Sequence, residues 1–365
     1  MQPSHIYIHI PFCAVRCAYC DFYSTAQGTG RAVAYVETLL AELEYLDLEQ
    51  ESIDTVYLGG GTPTLIGADL LEEIMKALTG SMRMSAEVTI EANPSTVTRK
   101  LADRLGHIGV NRVSLGVQSF DPRLRKNLGR TGETGEIFKA MEFLRGAGFE
   151  NVGIDLIFSI PGQGAGELEN DIRQALSLKP EHISWYELSA EEGGAYARKW
   201  GRELKSAREN GPEFYRTVTA ALEAAGYLWY ETSNFAIPGR ACRHNLSYWR
   251  GEDYLGVGAG AWSTRGLERW RNVEDIEVYI REKGMQTSSR LCEHLDSKDK
   301  LTEKLALGLR MDVGLKRDEV TDLIDPAEER LLRERGYLIS EGDRICLTRA
   351  GRFVANEICA RLLRN

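Results

Sequence analysis

The stretch HIYIHIPFCAVRCAYC, residues 5–20, joins a β-rich run to three closely spaced cysteines. Residues 5–10 have the composition of a strand, and Cys13, Cys17 and Cys20 follow it almost at once. No fourth cysteine occurs before Cys242. Because clusters held by cysteine usually have four thiolate ligands, the spacing raises the question of what occupies the fourth position.

Five more β-rich runs follow along the chain, at residues 53–60, 86–93, 112–118, 152–158 and 182–188. Stretches of helical periodicity separate the runs, at residues 31–46, 70–78, 98–106, 135–148 and 165–177. Six alternations predict parallel strands joined by right-handed crossovers. We therefore expect an α/β fold, either a doubly wound sheet or a complete or partial barrel.

Chemically distinctive segments follow five of these strands. The cysteines come after the first, GGGTPT after the second, EANP and VQSFD after the third and fourth, and IDLIFSIPGQ surrounds the fifth. Turn chemistry alone explains the glycines and prolines of any single loop. The agreement of five loops indicates the active face of a barrel, where the carboxyl ends of the strands meet.

The chain changes character after about residue 226. An aromatic and glycine-rich region follows, which lacks clean periodicity and is typical of loops and short strands over a pocket. From about residue 291 the sequence is charged and helical, and it predicts a hairpin near 338–347 and a final helix. We expect three units: a barrel over residues 1–230, a connecting region over 231–290 and a small helical, winged-helix-like domain over 291–365.

Composition narrows the class of protein. The 365 residues are 43% apolar and carry a formal charge of −9, without a basic stripe, so a nucleic-acid partner is disfavoured. No apolar run approaches the roughly 18 residues of a membrane span, and the first residues do not form a signal peptide. Seven cysteines, three bunched and four scattered, do not resemble a disulfide framework. These features favour a cytoplasmic protein in a reducing compartment.

Three alternatives compete with an iron–sulfur cluster at the cysteine triplet. A zinc site needs a fourth protein ligand, which is not visible near by. A redox pair needs only CxxC, without Cys13, and a chance grouping of buried cysteines is the third alternative. Three thiolates on a cube of four irons leave one iron with an open coordination position, where a further ligand can bind.

CxxxCxxC directly after the first strand resembles the signature of the radical S-adenosylmethionine (radical SAM) superfamily. YIHIPFC (7–13), LGGGTPT (58–64), SLGVQSFD (114–121), NLGRTG (127–132) and IDLIFSIPGQ (154–163) are similar to its coproporphyrinogen dehydrogenase branch. The likeness covers nearly the whole chain. It implies a partial (β/α)6 TIM-like radical SAM barrel that binds a [4Fe-4S] cluster, with S-adenosylmethionine on the open iron.

The resemblance also implies a role for individual residues. The cluster ligands are Cys13, Cys17 and Cys20. Beside the cluster and the adenine lie Tyr7 and Tyr19, and at the methionyl end lie Gly60, Gly61 and Thr62. The residues that would hold the nucleoside and the carboxylate of S-adenosylmethionine are Glu91, Gln118, Arg130 and Asp155. These types suit the task, because glycine allows close approach, carboxylates accept hydrogen bonds from ribose and a guanidinium pairs with a carboxylate.

Three features separate two members of this branch, the oxygen-independent coproporphyrinogen III dehydrogenases and the radical SAM heme chaperones. The dehydrogenases carry a fourth cysteine two residues after the third, where this chain has Phe22. They also have a long extension before the equivalent of Tyr7, where this chain has six residues. HNLSYW, residues 244–249, fits the HNxxYW motif of the heme chaperones. All three features favour the chaperones.

The motif suits a porphyrin chemically, because His244 can ligate iron and Tyr248 and Trp249 can pack on the macrocycle. A core histidine with two packed aromatic rings is the alternative explanation. Cys242 is a lone cysteine and is not assigned a ligand role. LGVGAGAW, residues 255–262, lacks the spacing of a dinucleotide fingerprint and indicates a tight turn.

The resemblance thus implies a heme chaperone that binds a [4Fe-4S] cluster, S-adenosylmethionine and heme. It would pass heme to an acceptor protein, such as a membrane-bound cytochrome complex. Coproporphyrinogen dehydrogenase activity is the alternative, and a radical SAM enzyme with another substrate is the third. Whether S-adenosylmethionine is cleaved in turnover stays open at this point.

Overall fold

The computed structural model describes residues 3–26, 30–46, 48, 52–191, 193–284 and 290–363. Its first part alternates strands with helices. The strands are β1 (His5–Ile10), β2 (Ile53–Gly60), β3 (Met82–Ala92), β4 (Arg112–Gln118), β5 (Val152–Phe158) and β6 (His182–Glu187). The helices are α1 (Ala32–Tyr45), α2 (Ala68–Thr79), α3 (Arg99–His107), α4 (Pro122–Asn127), α5 (Gly135–Gly146), α6 (Ala165–Ser177), α7 (Ala195–Glu209) and α8 (Gly211–Ala224).

Strands β1 to β6 lie side by side in chain order, and every neighbouring pair is parallel. The predicted partial barrel is confirmed. The predicted strand and helix boundaries agree with the structure within two residues, except that β3 begins four residues earlier than expected. Parallel pairing brings the carboxyl ends of all six strands to one end of the barrel.

Alternation along the strands separates an apolar outer face from a polar interior. On β1, Ile6, Ile8 and Ile10 are fully buried in the core that the strands form with the surrounding helices. The intervening residues of β1 are His5, Tyr7 and His9, which face inward. Ordinary barrels fill this space with branched apolar side chains. A polar interior here leaves room for side-chain chemistry inside the barrel.

The connecting region extends the barrel sheet at both edges. Its elements are β7 (Leu228–Trp229), β8 (Asn234–Ala236), α9 (Arg243–Trp249), β9 (Leu255–Val257), β10 (Trp262–Arg265), β11 (Glu268–Arg271), α10 (Ile276–Arg281) and β12 (Leu291–His294). Strand β9 pairs in parallel with β1, and β8 pairs antiparallel with β6 and with β7. Strands β10, β11 and β12 form a separate antiparallel sheet.

The expectation of loops and short strands is wrong for HNLSYW, because helix α9 contains this stretch. The helix begins where the carboxylate of Glu87, on β3, accepts a hydrogen bond from the backbone N–H of His244 at 3.2 Å. Seven residues are too few for a periodic signal, and the cap comes from a distant strand. Sequence periodicity therefore could not reveal this helix.

The C-terminal domain has its own small core and a three-stranded antiparallel sheet. Its elements are α11 (Ser297–Gly308), β13 (Leu315–Lys316), α12 (Pro326–Glu334), β14 (Leu338–Glu341), β15 (Arg344–Leu347), α13 (Arg349–Arg352) and α14 (Ala355–Leu362). The predicted hairpin is confirmed as β14 and β15. The domain docks on the barrel through Phe353, whose ring lies 5.2 Å from those of Tyr215 and Trp229.

None of the helices in the described ranges combines the length and the apolar character that crossing a membrane demands.

Candidate functional site

The cysteine loop leaves the end of β1 and returns at Thr25, which pairs with Phe12 just beyond that strand. The N–H of Cys13 donates to the carbonyl of Thr25 at 2.9 Å, and the N–H of Cys20 donates to the carbonyl of Cys17 at 3.2 Å. All three thiols are free and partly exposed. Partial burial raises the pKa of Cys13 and of Cys20. The loop therefore presents three thiols within eight residues at the mouth of the barrel.

These thiols line a cavity of about 380 Å³ at the carboxyl ends of the strands. Eleven of the residues singled out from the sequence line it: Cys13, Cys17, Tyr19, Cys20, Gly60, Gly61, Thr62, Glu91, Gln118, Arg130 and Asp155. Its volume lies within the roughly 300–1,000 Å³ of small-molecule and cofactor sites. Residues far apart in the sequence thus meet in one cavity.

The glycines after β2 let this loop pass directly beneath the cysteine loop. A Cβ atom at Gly61 would lie 2.6 Å from the carbonyl oxygen of Phe12, and one at Gly60 would lie 2.6 Å from the ring of His9. The φ of Gly60 is +111°, which favours glycine. The hydroxyl of Thr62 donates to the sulfur of Cys13 at 3.9 Å. Close approach of the two backbones therefore requires glycine at both positions.

Glu91 is buried at the cavity wall and is held by two donors. The hydroxyl of Tyr57 donates to Oε1 at 2.9 Å, and the N–H of Gly60 donates to Oε2 at 3.1 Å. Desolvation, with a contribution from nearby Asp155, nevertheless raises the pKa of Glu91 to about 7. This carboxyl can therefore donate or accept a hydrogen bond near neutral pH.

Asp155 faces the same cavity from β5. The hydroxyl of Ser114 donates to its two oxygens at 3.0 and 3.1 Å. Burial raises the pKa of Asp155. A ligand that supplies hydroxyl or amino donors would therefore stabilise the carboxyls of Glu91 and Asp155, because such donors replace the hydration that burial removes.

Arg130 and Gln118 complete the polar wall. Arg130 Nη2 donates to the carbonyl of Gly116 at 2.8 Å, while its Nε is buried without a hydrogen-bond partner among the described residues. Gln118 has a φ of +69° at an irregularity in the pairing of β4 with β5. Such strain in a non-glycine residue is typical of functional sites. Arg130 also lines the cavity, so its guanidinium can pair with an anionic group of a ligand.

Sequence reasoning missed three residues that support this wall. Ser114 orients Asp155, Tyr57 binds Glu91, and the Tyr186 hydroxyl donates to Gln118 Oε1 at 3.2 Å. Each lies on a strand that was predicted. The two-residue alternation on those strands could have identified them as inward-facing.

Tyr7 does not line the cavity. Its hydroxyl bonds with His9 Nδ1 at 3.0 Å, and its ring stacks on that of Tyr57 at 6.1 Å. Tyr7 therefore lies one layer below the cavity floor, where it supports Tyr57 and, through Tyr57, Glu91.

His244 lies near the opposite end of the barrel, beside the amino-terminal parts of β1 and β2. Its Nδ1 bonds with the Thr55 hydroxyl at 2.7 Å, and its Nε2 bonds with the Tyr248 hydroxyl at 2.8 Å. Only 1% of the residue is exposed, and desolvation lowers its pKa to about 3. Both ring nitrogens are thus engaged, so iron ligation by His244 requires at least one of these bonds to break.

The donor set of the cavity fits a cluster better than a single ion. Within residues that the structure describes, no three His, Cys, Asp or Glu side chains are grouped to hold one metal ion. A four-iron cube binds each thiolate through a different iron, so its ligands do not converge on one point. Three free thiols around one cavity, beside the guanidinium of Arg130, suit this arrangement.

Two family models match the chain. Residues 7–175 match the model of the radical SAM superfamily, and residues 295–354 match that of the HemN C-terminal domain. The first match ends within α6 and includes the cysteine loop, and the second falls within the C-terminal domain.

The chain is also similar to curated heme chaperones. It is 33% identical to heme chaperone HemW of Lactococcus lactis, over 99% of this chain and 98% of that protein. It is 35% identical to heme chaperone HemW of Mycobacterium tuberculosis, over 99% and 95%. With heme chaperone HemW of Bacillus subtilis the identity is 33%, over 98% of each chain.

One solved structure matches over nearly the whole chain. Coproporphyrinogen III oxidase (HemN) from Escherichia coli, described as a radical SAM enzyme, superposes with a TM-score of 0.80. The two chains are 22% identical, and the match covers 99% of this chain and 90% of the other. At this identity the likeness confirms the fold, including the C-terminal domain, and carries no more than that.

Proposed function

The chain belongs to the HemW family of heme chaperones within the radical SAM superfamily, and from this premise we propose that it binds and delivers heme. In this proposal a [4Fe-4S] cluster and S-adenosylmethionine occupy the mouth of the barrel. Heme occupies the region of helix α9. One observation carries the proposal beyond the family: the three thiols share one cavity with the carboxyls of Glu91 and Asp155 and the guanidinium of Arg130.

Different residues of the mouth would bind the cluster and the separate groups of S-adenosylmethionine. Cys13, Cys17 and Cys20 would hold the cluster, which supplies an open iron position for the amino and carboxylate groups of S-adenosylmethionine. Arg130, whose guanidinium lines the cavity, suits the carboxylate of the ligand. Glu91 and Asp155 suit the ribose hydroxyls and the amino group, since both accept hydrogen bonds.

Two of the cavity's carboxyls, those of Glu91 and Asp155, are already bonded to neighbouring hydroxyls. Tyr57 and Ser114 hold the two carboxyls in fixed orientations before any ligand arrives. A site organised in advance loses less entropy on binding. Cleavage of S-adenosylmethionine is compatible with this arrangement. In a carrier, binding of S-adenosylmethionine without cleavage would also suffice if it only regulates the transfer of heme.

For delivery we propose an acceptor protein, such as a membrane-bound cytochrome complex, reached from the cytoplasm. Cluster binding by Cys13, Cys17 and Cys20 needs reduced thiols, which supports a reducing compartment. The protein would then carry heme to the membrane rather than reside in it.

The alternative function is oxidative decarboxylation of coproporphyrinogen III. Phe22 argues against it, because a phenylalanine with 69% of its surface exposed stands where the dehydrogenases have a fourth cysteine. This difference falls at the rim of the cavity, where substrate would enter.

One experiment separates the two functions. The cluster is reconstituted without oxygen, S-adenosylmethionine and coproporphyrinogen III are supplied, and protoporphyrinogen is measured beside a heme titration of the same preparation. We expect saturable heme binding and no protoporphyrinogen. Robust decarboxylation would exclude the chaperone function, and the absence of both signals would exclude both functions.

A further inference from the structure

A second groove lies outside the barrel, between helix α9 and the C-terminal domain. Its volume is about 600 Å³, again within the usual range for small-molecule sites. Its lining includes Trp249 at the end of α9, Val313 and Leu315 after α11, and Lys316 and Arg344 on the paired strands β13 and β15. One wall of the groove therefore comes from the HNLSYW stretch, and the other comes from the C-terminal domain.

The apolar part of the groove suits a flat ligand. The indole of Trp249 is partly exposed and is oriented by Arg310, whose guanidinium lies 5.4 Å from the ring centroid. Arg310 is itself held by Asn356, to which it donates at 2.8 Å. Val313 lines the groove and is 48% exposed. Trp249 and Val313 thus both offer apolar surface to the groove, although Arg310 covers part of the indole.

The charged part of the groove carries two neighbouring cations. Lys316 and Arg344 are directly opposite in the β13–β15 register, so their side chains leave the same face of the sheet. Arg344 is fixed by hydrogen bonds of 2.7 Å to the carbonyls of Val313 and Gly314. Neither cation has an ion pair with a carboxylate in the described chain.

The two carboxylates that line the groove are already engaged. Glu319 forms an ion pair with Lys304 at 3.0 Å, and Glu252 accepts a hydrogen bond from His5 at 3.0 Å. The excess positive charge of the groove contrasts with the net charge of −9 of the whole chain. An apolar ligand with two negative groups along one edge therefore complements the groove.

We propose that this groove is the porphyrin site, with the heme macrocycle against Trp249 and Val313 and its two propionates on Lys316 and Arg344. The inference rests on the proposed function, since it specifies where heme binds. His244 does not line the groove. Its role is to position α9, through its bonds with Thr55 and Tyr248, so that Trp249 faces the C-terminal domain.

This site explains how a carrier can both hold and release heme. Among the lining residues only Met311 is of a type that commonly ligates heme iron, and it is buried. Binding energy then comes from the faces of the macrocycle and from the propionates. Since no strong axial bond has to break, transfer to an acceptor needs only the exchange of surface contacts.

The test uses the full-length protein and three probes: hemin, metal-free protoporphyrin IX and its dimethyl ester. Binding is followed by Soret absorption and by fluorescence. We expect hemin and protoporphyrin IX to bind within about threefold of each other, and the ester about tenfold more weakly, because it lacks both negative charges. Val313→Asp and Lys316→Glu should each weaken hemin binding about tenfold.

Matched controls lie away from the groove. Val354→Asp changes another exposed valine of the same domain, and Lys100→Glu reverses an exposed charge on α3. Both controls should bind hemin as the wild type does. Wild-type affinity in Val313→Asp and Lys316→Glu would overturn the inference, as would binding that requires iron. If the wild type itself shows no saturable hemin binding, the proposed function fails first.

Discussion

Arg130 at the mouth of the barrel and His244 near its other end differ in how completely their polar atoms are paired. At the mouth, Arg130 keeps a buried nitrogen without a partner, and Glu91 is desolvated enough to titrate near neutrality. Near the other end, His244 uses both ring nitrogens, and Thr55 bonds with both His5 and His244. The His244 ring is therefore held in place by the chain itself, whereas Glu91 keeps the capacity to bond with a ligand.

The largest expected difference between the ends concerns the cluster. Cys13→Ala removes one of three thiols at the mouth, so we expect iron and sulfide content to fall to near background after reconstitution. Heme binding should persist, because the proposed groove lies outside the barrel. Cys292→Ala, which removes an exposed free thiol elsewhere, is the control. Full iron content in Cys13→Ala would refute the ligand assignment.

Removal of His244 tests how much its hydrogen bonds with Thr55 and Tyr248 stabilise the fold. His244→Ala leaves a buried cavity and deprives the Tyr248 hydroxyl of its partner. We expect the free energy of unfolding to fall by about 2–4 kcal/mol. Urea unfolding measures the loss, and the exposed His107→Ala should change stability little. An unchanged affinity for S-adenosylmethionine in His244→Ala would support the separation of the two ends, whereas its loss would contradict it.

Glu91 makes the mouth sensitive to pH. Its pKa is raised to about 7 in the folded chain, so between about pH 4.5 and 7 the folded state binds more protons than the unfolded state. Without ligand, stability should therefore fall as pH rises through this window, by at most about 3 kcal/mol from this group.

Glu91→Gln should remove that part of the pH dependence, as urea unfolding at pH 5 and pH 8 would show. The matched control is Asp103→Asn on the exposed surface of α3. Equal slopes with pH for Glu91→Gln and the wild type would show that the carboxyl is ionised throughout.

Tyr57 connects the two ends and gives the smallest effect. Its hydroxyl donates to Glu91, while its ring stacks on that of His244 at 5.2 Å. Tyr57→Phe keeps the stack and removes the donor, so we expect a loss of about 1 kcal/mol in unfolding free energy. Affinity for S-adenosylmethionine should change more than affinity for heme. A larger loss of affinity for heme than for S-adenosylmethionine would contradict the assignment of the Tyr57 hydroxyl to the mouth.

Sequence was sufficient for the barrel and most of its mouth, because strand periodicity and motifs are local signals. Eleven predicted residues do line one cavity, although their roles toward cluster and ligand stay predictions. Helix α9 was missed because its cap, Glu87, lies on a distant strand. Lys316 and Arg344 meet only through strand pairing, and neither belongs to a motif. Features that depend on tertiary contacts between ordinary residues leave no local pattern to find.

The nine-stranded sheet ends on β7, of two residues, and β9, of three. A barrel that is open on one side would otherwise present two long rows of unpaired backbone N–H and C=O groups to other chains. Short terminal strands leave too little backbone for another molecule to extend the sheet. The barrel can thereby stay open along one side without inviting self-association into aggregates.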